Sequence, residues 1–181
     1  MVTFRQSGLY VKNYKKDKDH YIIKLSIQQE DIQIKNMYAP NIRACTYMEQ
    51  TLTNLKEKIC SSTRIAGDFN TPLLIMDRWS RQKISEDIVD LNNTVDQMDL
   101  TDVYRMLYTA AKEYTLFSST HETFTRIDHM LGHKTSLKSL KKMEITSSIF
   151  SDHSGMKLET NNKRKTRKFT NTWELNNILL N

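Results

Sequence analysis

The sequence predicts a mixed α/β domain of layered type, with two helices inserted between strands. Two observations predict this class: short runs of strand composition recur along the chain, and two longer segments place apolar residues at helical spacing. The length of 181 residues and the 38% content of hydrophobic residues suffice for one core of moderate size. We therefore expect one domain over residues 1–160 and a basic tail or linker over 161–181.

The first half of the chain begins with a predicted hairpin. Residues 20–27 and 32–37 have strand composition and flank a polar stretch, and Pro40 ends the second strand. Residues 44–60 space their apolar side chains by four, three and four, which predicts a helix with one buried face. Residues 63–66 then form a short strand that leads into a loop.

The second half predicts one more long helix and several strands. The helix covers residues 83–98, and a short helix is expected over 100–107. Residues 113–117 and 123–131 have strand composition and form a hairpin with an exposed polar tip. Two further strands are expected over 142–147 and 155–159.

The composition argues against secretion and membrane spanning. No run approaches the about 18 apolar residues of a membrane span, and the amino end lacks the apolar segment of a signal peptide. Cys45 and Cys60 lie on one predicted helix roughly 22 Å apart, which is too far for a disulfide. We therefore expect a reduced, intracellular monomer of the nucleus or cytoplasm, without a membrane partner or a small-molecule cofactor.

The net charge of +6 is concentrated near the carboxyl end. Five cationic side chains lie there within a single run: Lys163, Arg164, Lys165, Arg167 and Lys168. Such a run is typical of a segment that attracts phosphates or of a nuclear-import signal. A solvated, disordered tail explains it equally well.

Three short acidic signatures follow strand-like runs far apart in the sequence. They are Gly67-Asp68-Phe69-Asn70, Ile127-Asp128-His129 and Ser151-Asp152-His153. Active-site residues often lie in loops, and Asp, Asn and His are the types that a metal-assisted phosphodiester hydrolase brings together. Carboxylates bind hard cations such as Mg²⁺, and a carboxylate can fix the tautomer of a neighbouring histidine. His153 paired with Asp128 is the candidate for the second arrangement.

Each signature alone also has an ordinary structural explanation. Gly67-Asp68-Phe69-Asn70 fits a turn with a helix cap, and Tyr38 fits a packed residue at a strand end. Asp-His pairs occur three times, and the pair at 19–20 has no partner cluster. His129 and His133 have the spacing of a helical zinc pair, but in a predicted strand and turn that spacing does not converge.

Taken together with Tyr38-Ala39-Pro40-Asn41, the signatures resemble the endonuclease/exonuclease/phosphatase superfamily. More closely, they are similar to the endonuclease domain of long interspersed element retrotransposons. Other segments of the sequence match that family as well, namely Ser26-Ile27-Gln28-Gln29-Glu30, Asn70-Thr71-Pro72-Leu73 and Thr172-Trp173-Glu174-Leu175-Asn176-Asn177. The resemblance implies a two-sheet α/β sandwich that nicks DNA with Mg²⁺, or with Mn²⁺, as its cation.

The resemblance implies a role for each site residue. Asp68 handles the nucleophilic water or the leaving group, and Asn70 positions it close to the metal. Tyr38 contacts the scissile phosphate, while Asp128 orients His153, which stabilises the phosphate or protonates there. Asp152 is a secondary metal contact, which makes the implied metal residues Asp68, Asn70 and Asp152.

The resemblance also implies DNA contacts. Thr115 aligns with a threonine that lines the DNA groove, and the hairpin tip aligns with a loop that probes the minor groove. The tip comprises Ser118, Ser119, Thr120, His121 and Glu122. It lacks the family's usual second histidine and proline, so the resemblance does not establish which target sequence this chain would prefer.

The family domain begins with a strand bearing a metal-side Asn and with a Gln-Glu-Thr segment whose Glu is the principal Mg²⁺ ligand. The present sequence aligns only after both of them, so the expected sandwich lacks its first strands. On this ground we expect weak or absent nicking activity. The alternative is a nucleic-acid-binding protein without catalysis, and a chain that does not fold stably is a third hypothesis.

Overall fold

Strands form most of the regular elements in the described part of the chain, and three α-helices lie between Ala44 and Leu107. The computed structural model describes residues 2–5, 9–17, 20–27, 30–80, 83–120, 122–148, 151–161 and 170–175. The strands there are β1 (Val2–Arg5), β2 (Leu9–Asp17), β3 (His20–Ile27), β4 (Glu30–Tyr38), β5 (Thr63–Asp68), β6 (Leu100–Asp102), β7 (Leu116–Ser118), β8 (Thr123–Thr125), β9 (Asp128–His133), β10 (Leu140–Thr146), β11 (Gly155–Asn161) and β12 (Thr170–Leu175). The helices are α1 (Ala44–Leu55), α2 (Glu86–Gln97) and α3 (Val103–Leu107).

Two large sheets and one small one contain these strands. The larger sheet has the order β2-β3-β4-β5-β9-β6, the second has the order β1-β12-β11-β10, and β7 pairs with β8 alone. Strands β4 and β5 are parallel neighbours, whereas β5 and β9 are antiparallel. A parallel pair needs a crossover connection, and α1 lies in the segment that provides it.

The six-stranded sheet is buried on both faces in its centre. Ile65 and Leu131 belong to a core cluster with apolar residues of α1 and α2. Their chain neighbours Ala66 and Met130 belong to the other cluster, which contains residues of β10 and β11. Because successive side chains of a strand point to opposite faces, the fold has α1 and α2 on one side of the central sheet, and the second sheet together with α3 on the other. This is the two-sheet α/β sandwich that the resemblance implies.

The long predicted elements form with small differences at their ends. The hairpin of β3 and β4 agrees with the prediction, while its turn at 28–29 lies outside the described residues. Helix α1 ends at Leu55 and is followed by the 3₁₀ turn Lys56–Lys58, so Cys60 lies beyond the helix. Both cysteines are free. No helix in the described ranges is long and apolar enough to cross a bilayer.

Two predicted elements were wrong because each combines two structures. Residues 100–107 are not one helix, since Leu100–Asp102 pairs with β9 and the helix begins only at Val103. The Asp102 carboxylate caps that helix by accepting the N–H groups of Tyr104 and Arg105, which ends the strand there. Residues 123–131 are likewise two strands, because β8 and β9 belong to different sheets.

The carboxyl-terminal segment is partly a strand. Thr170–Leu175 forms β12, which lies between β1 and β11 and pairs with both of them. Part of the segment predicted as a tail therefore belongs to a sheet, and the division at residue 160 needs that correction. The five cations at 163–168 lie outside the described residues. Strands β1 and β2 were not predicted from the sequence.

Candidate active site

The first site segment is the end of β5, where the chain makes a close approach to β4. Gly67 has a φ of 144°, and a Cβ atom there would lie 1.9 Å from the carbonyl oxygen of Met37. A residue with a side chain would therefore force β4 and β5 apart at the position just before Asp68. The register of these parallel strands aligns Asp68 with Tyr38.

Asn70 fixes the loop that follows Asp68. Its φ of 48° lies in the left-handed region, which asparagine tolerates better than most residues. Its backbone N–H donates to Asp68 Oδ1 at 2.9 Å, and its side-chain Nδ2 donates to the carbonyl oxygen of Ala39 at 2.6 Å. The asparagine thus ties Asp68 to the end of β4 and leaves its own amide oxygen as an atom suited to a cation.

The second segment is the start of β9, where Asp128 faces Asp68 across the antiparallel pair. The hydroxyl of Thr115 accepts the N–H groups of both Ile127 and Asp128 at 3.1 Å. Thr115 is fully buried. Its side chain therefore supports Asp128 from within and does not face a surface groove, which differs from the DNA contact that the resemblance implies.

The third segment carries His153. Its backbone forms an isolated antiparallel β-bridge with Leu116, which places it beside β7 of the hairpin. Its Nδ1 lies 2.9 Å from Asp128 Oδ2, and its Nε2 lies 3.9 Å from Asp68 Oδ2. Ligand atoms of Asp68, Asp128 and His153 all lie within 4.8 Å of one another. The structure thus brings one residue of each acidic signature to a single point.

The electrostatics of this cluster shift two pKa values in the same direction. Burial raises the pKa of Asp68 to about 6, and the negative charge of Asp128 adds to that effect. The hydrogen bond to Asp128 raises the pKa of His153 above its ordinary value, although burial opposes it. The cluster accordingly retains protons more strongly than free side chains do.

The remaining residues predicted for the site lie at its edge. Tyr38 is 43% exposed at the end of β4, and Asp152 is exposed beside His153. Asp152 is not among the three converging groups, although its charge contributes to the raised pKa of His153. Ser118, Ser119 and Thr120 lie on the β7–β8 hairpin, whereas His121 lies outside the described residues.

Sequence reasoning missed a buried charge network behind Asp128. Arg126 and Arg105 both contact Asp77 Oδ1, and Arg126 Nη2 does so at 3.0 Å. Arg126 Nη1 lies 2.8 Å from Asp102 Oδ2. Arg126 and Asp77 are fully buried, so these ion pairs lie within the protein interior.

His129 extends the network toward the loop after Asn70. Its Nδ1 lies 2.8 Å from Asp102 Oδ2, and its Nε2 lies 3.0 Å from the carbonyl oxygen of Thr71. Burial acts to raise the pKa of Asp102, but Arg126 and His129 outweigh it and hold that pKa well below its usual range. The one sequence signal for this network is that charged residues flank Asp128 within an otherwise apolar strand.

The donor set of the cluster fits a hard divalent cation. Asp68 and Asp128 supply carboxylate oxygens in a space where burial and their mutual repulsion raise the pKa of Asp68. No thiol is among the converging groups of the described residues. A bound cation would relieve the repulsion between the two carboxylates, and its oxygen-rich surroundings favour Mg²⁺ or Mn²⁺ over softer ions.

Comparison with known proteins identifies the fold. No known protein-family profile matches the sequence. The endonuclease domain of TRAS1, a telomere-specific non-LTR retrotransposon, matches with a TM-score of 0.66 and 12% identity, over 82% of this chain and 66% of that one. The 3'-5' exonuclease NExo from Neisseria meningitidis matches with a TM-score of 0.60 and 19% identity, over 97% and 70%. The AP endonuclease LMAP from Leishmania major matches with a TM-score of 0.60 and 17% identity, over 89% and 55%.

These proteins are longer than the present chain, which spans 66% of the TRAS1 domain and 55% of LMAP. They have the sandwich topology in common with it at low sequence identity, so the likeness concerns the fold. The chain has the fold of the endonuclease/exonuclease/phosphatase superfamily.

Proposed function

We propose that this chain is a divalent-cation-dependent hydrolase of DNA phosphodiester bonds. The observation that carries the proposal is the convergence of Asp68, Asp128 and His153, whose ligand atoms lie within 4.8 Å of one another. DNA is the proposed substrate because TRAS1 and LMAP, which have the same fold, are named as endonucleases, and the 3' phosphatase NExo from Neisseria, also of this fold, is bound to a product DNA hairpin. The net charge of +6 also suits a polyanionic substrate.

In the proposed reaction, a water oxygen attacks phosphorus and the bond to the leaving oxygen breaks. Asp68 accepts the proton of the water, for which its pKa of about 6 is suited near neutral pH. His153 donates its Nε2 proton to the leaving oxygen, or remains protonated beside a phosphoryl oxygen. Asp128 accepts the hydrogen bond from Nδ1 and keeps Nε2 directed toward the site.

Other residues position the phosphate and the cation in this proposal. Tyr38, exposed at the end of β4, donates its hydroxyl proton to a phosphoryl oxygen. Asp68, Asn70 and Asp152 are the residues that would hold the cation. A divalent cation held there would supply charge neutralisation at the phosphoryl oxygens.

We further propose that the chain by itself binds its cation weakly. Mg²⁺ demands near-ideal octahedral coordination by oxygens. The described cluster supplies two carboxylates, one of which already accepts a hydrogen bond from His153. Water would therefore have to complete much of the coordination, and we expect slow nicking.

The test is conversion of supercoiled plasmid to open circles by the purified protein in Mg²⁺, with EDTA as the blank. We expect slow nicking that falls by about 100-fold or more in His153→Ala and Asp68→Asn, since each removes a proton-transfer group. Val89→Ala is the matched control, because Val89 is 48% exposed on α2 away from the cluster. Equal nicking by the wild-type protein and His153→Ala would contradict the proposal. Rapid nicking that both variants abolish would instead support the hydrolase and contradict its weakness.

A further inference from the structure

A row of exposed aromatic side chains lies beside the candidate active site. Trp79 is 65% exposed, Phe124 is 43% exposed and Phe117 is 42% exposed. The ring centroids of Trp79 and Phe124 are 6.3 Å apart, and those of Phe124 and Phe117 are 4.7 Å apart. Single exposed aromatic residues are common on protein surfaces, but a contiguous row is not.

The row follows neighbouring strands rather than one segment. The Trp79 N–H donates to the carbonyl oxygen of Phe124 at 3.0 Å, and Phe124 pairs directly with Phe117 across the hairpin. The Phe117 N–H then donates to the carbonyl oxygen of Asp152 at 3.3 Å. Because adjacent strands are about 4.8 Å apart, the row spans roughly 14 Å from Trp79 to the loop of His153.

The far end of the row opens into a groove of about 750 Å³. Leu74, Ile75, Trp79 and Tyr114 give it apolar walls, and Arg78 and Lys112 add two cations. No carboxylate is among the described residues that line it. The groove therefore combines apolar and aromatic surface with positive charge, at the end of the row away from the site proposed to hydrolyse a phosphodiester.

We propose that the aromatic row Trp79–Phe124–Phe117 is a stacking platform for unpaired bases of single-stranded DNA, which it leads toward His153. The inference rests on the proposed function, since it names the part of the substrate that this surface binds. Aromatic side chains that stack on successive bases, beside cations that follow the phosphates, are the usual means of binding single strands. A duplex keeps its base faces stacked inside the helix, so the row discriminates against it.

The test is binding of a fluorescently labelled 15-nucleotide oligothymidylate, followed by anisotropy in EDTA so that no cleavage occurs. We expect Trp79→Ala and Phe117→Ala each to raise the dissociation constant by about five- to a hundredfold, which corresponds to the loss of one stacked base. Trp79→Phe should keep most of the affinity, because it retains a stacking ring. Val89→Ala, an apolar truncation on α2, should bind like the wild-type protein.

A cooperative thermal transition checks that each variant is folded. The truncated side chains are partly exposed, so their removal should leave the core intact. A labelled duplex of the same length should bind equally well to the wild-type protein and to Trp79→Ala. Unchanged single-strand binding by both alanine variants would overturn the inference and leave the row as a surface for another kind of partner, such as a protein. Equal losses for duplex and single strand would also overturn it.

The binding measurement is independent of nicking. If nicking fails but single-strand binding depends on Trp79, the hydrolase proposal fails and the stacking platform remains. If nicking depends on His153 but single-strand binding does not depend on Trp79, the stacking platform fails and the hydrolase proposal remains.

Discussion

Two groups of buried carboxylates lie on either side of the start of β9, and they differ in what neutralises them. Asp68 and Asp128 face each other beside one histidine, and burial together with their repulsion raises the pKa of Asp68 to about 6. Asp77 and Asp102 instead contact Arg126, and the pKa of Asp102 stays well below its usual range despite burial. The fold thus supplies cations where a carboxylate serves structure and leaves repulsion where we propose that an external cation binds.

The largest expected effect comes from removing the cation of the structural group. Arg126→Met should lower the free energy of unfolding by about 3–5 kcal/mol, because Asp102 and Asp77 would lose a buried partner. Urea unfolding measures it. Lys134→Met is the control, since Lys134 pairs with Asp96 at the exposed surface and its loss should cost less than about 1 kcal/mol. Equal effects of both substitutions would remove the distinction between the two regions.

Thr115 supports Asp128 of the candidate site, and its hydroxyl can be removed without changing the side-chain shape. Thr115→Val should cost about 1–3 kcal/mol of unfolding free energy, because two buried N–H groups lose their acceptor. Thr115→Ser keeps the acceptor and should recover most of that loss. If serine and valine destabilise the protein equally, the methyl packing of Thr115 matters rather than its hydrogen bonds.

Removing the charge of Asp68 should raise the free energy of unfolding, whereas the substitutions of Arg126 and Thr115 lower it. A pKa raised from 3.8 to about 6 means that the folded state holds the Asp68 proton more tightly than the unfolded chain. That stabilising contribution is present below pH 3.8 and is lost as the pH rises through about 6. Asp68→Asn keeps an acceptor for the Asn70 N–H and removes the charge. At pH 7.5 without divalent cations, the free energy of unfolding of this variant should therefore exceed that of the wild-type protein by about 1–2 kcal/mol.

This gain should shrink toward zero at pH 4, where the wild-type carboxyl is already protonated in the fold. Thermal unfolding at both pH values measures the difference. A variant that is less stable than the wild-type protein at pH 7.5 would show that Asp68 has a compensating partner.

The smallest expected effect is stabilisation by the cation itself. Mg²⁺ at ten times its dissociation constant should raise the unfolding free energy of the wild-type protein by about 1.4 kcal/mol. Asp68→Asn should show no such increase, and NaCl of equal ionic strength serves as the control. Equal stabilisation of the variant would place the bound cation elsewhere.

The three converging residues of the candidate site could be singled out from the sequence because each belongs to a short motif next to a strand. Asp68, Asp128 and His153 come together because β5 and β9 are neighbours and the hairpin holds His153 beside them. The structural network could not be predicted in the same way. Asp77 lies 28 residues from Arg105 and 49 residues from Arg126, and neither pair leaves a local pattern.

The length of an element also affected whether it could be predicted, as the two long helices and the strand β6 show. Helices α1 and α2 have 12 residues each, enough for their apolar spacing to be recognised. The strand β6 has three residues and runs directly into α3, so composition alone did not separate them. Asp102 marks that boundary, but an aspartate within an apolar segment is also compatible with a helix surface.

Thr115 has a consequence for how the site would respond to its substrate. Its hydroxyl holds the backbone of Asp128, while its carbonyl oxygen accepts the Ser154 N–H at 2.6 Å, next to His153. One residue at the base of the hairpin therefore anchors both members of the Asp128–His153 pair. A substrate strand that bends the hairpin would change the distance between those two side chains, so in the proposed reaction this anchorage would link the binding of the substrate to the transfer of the proton.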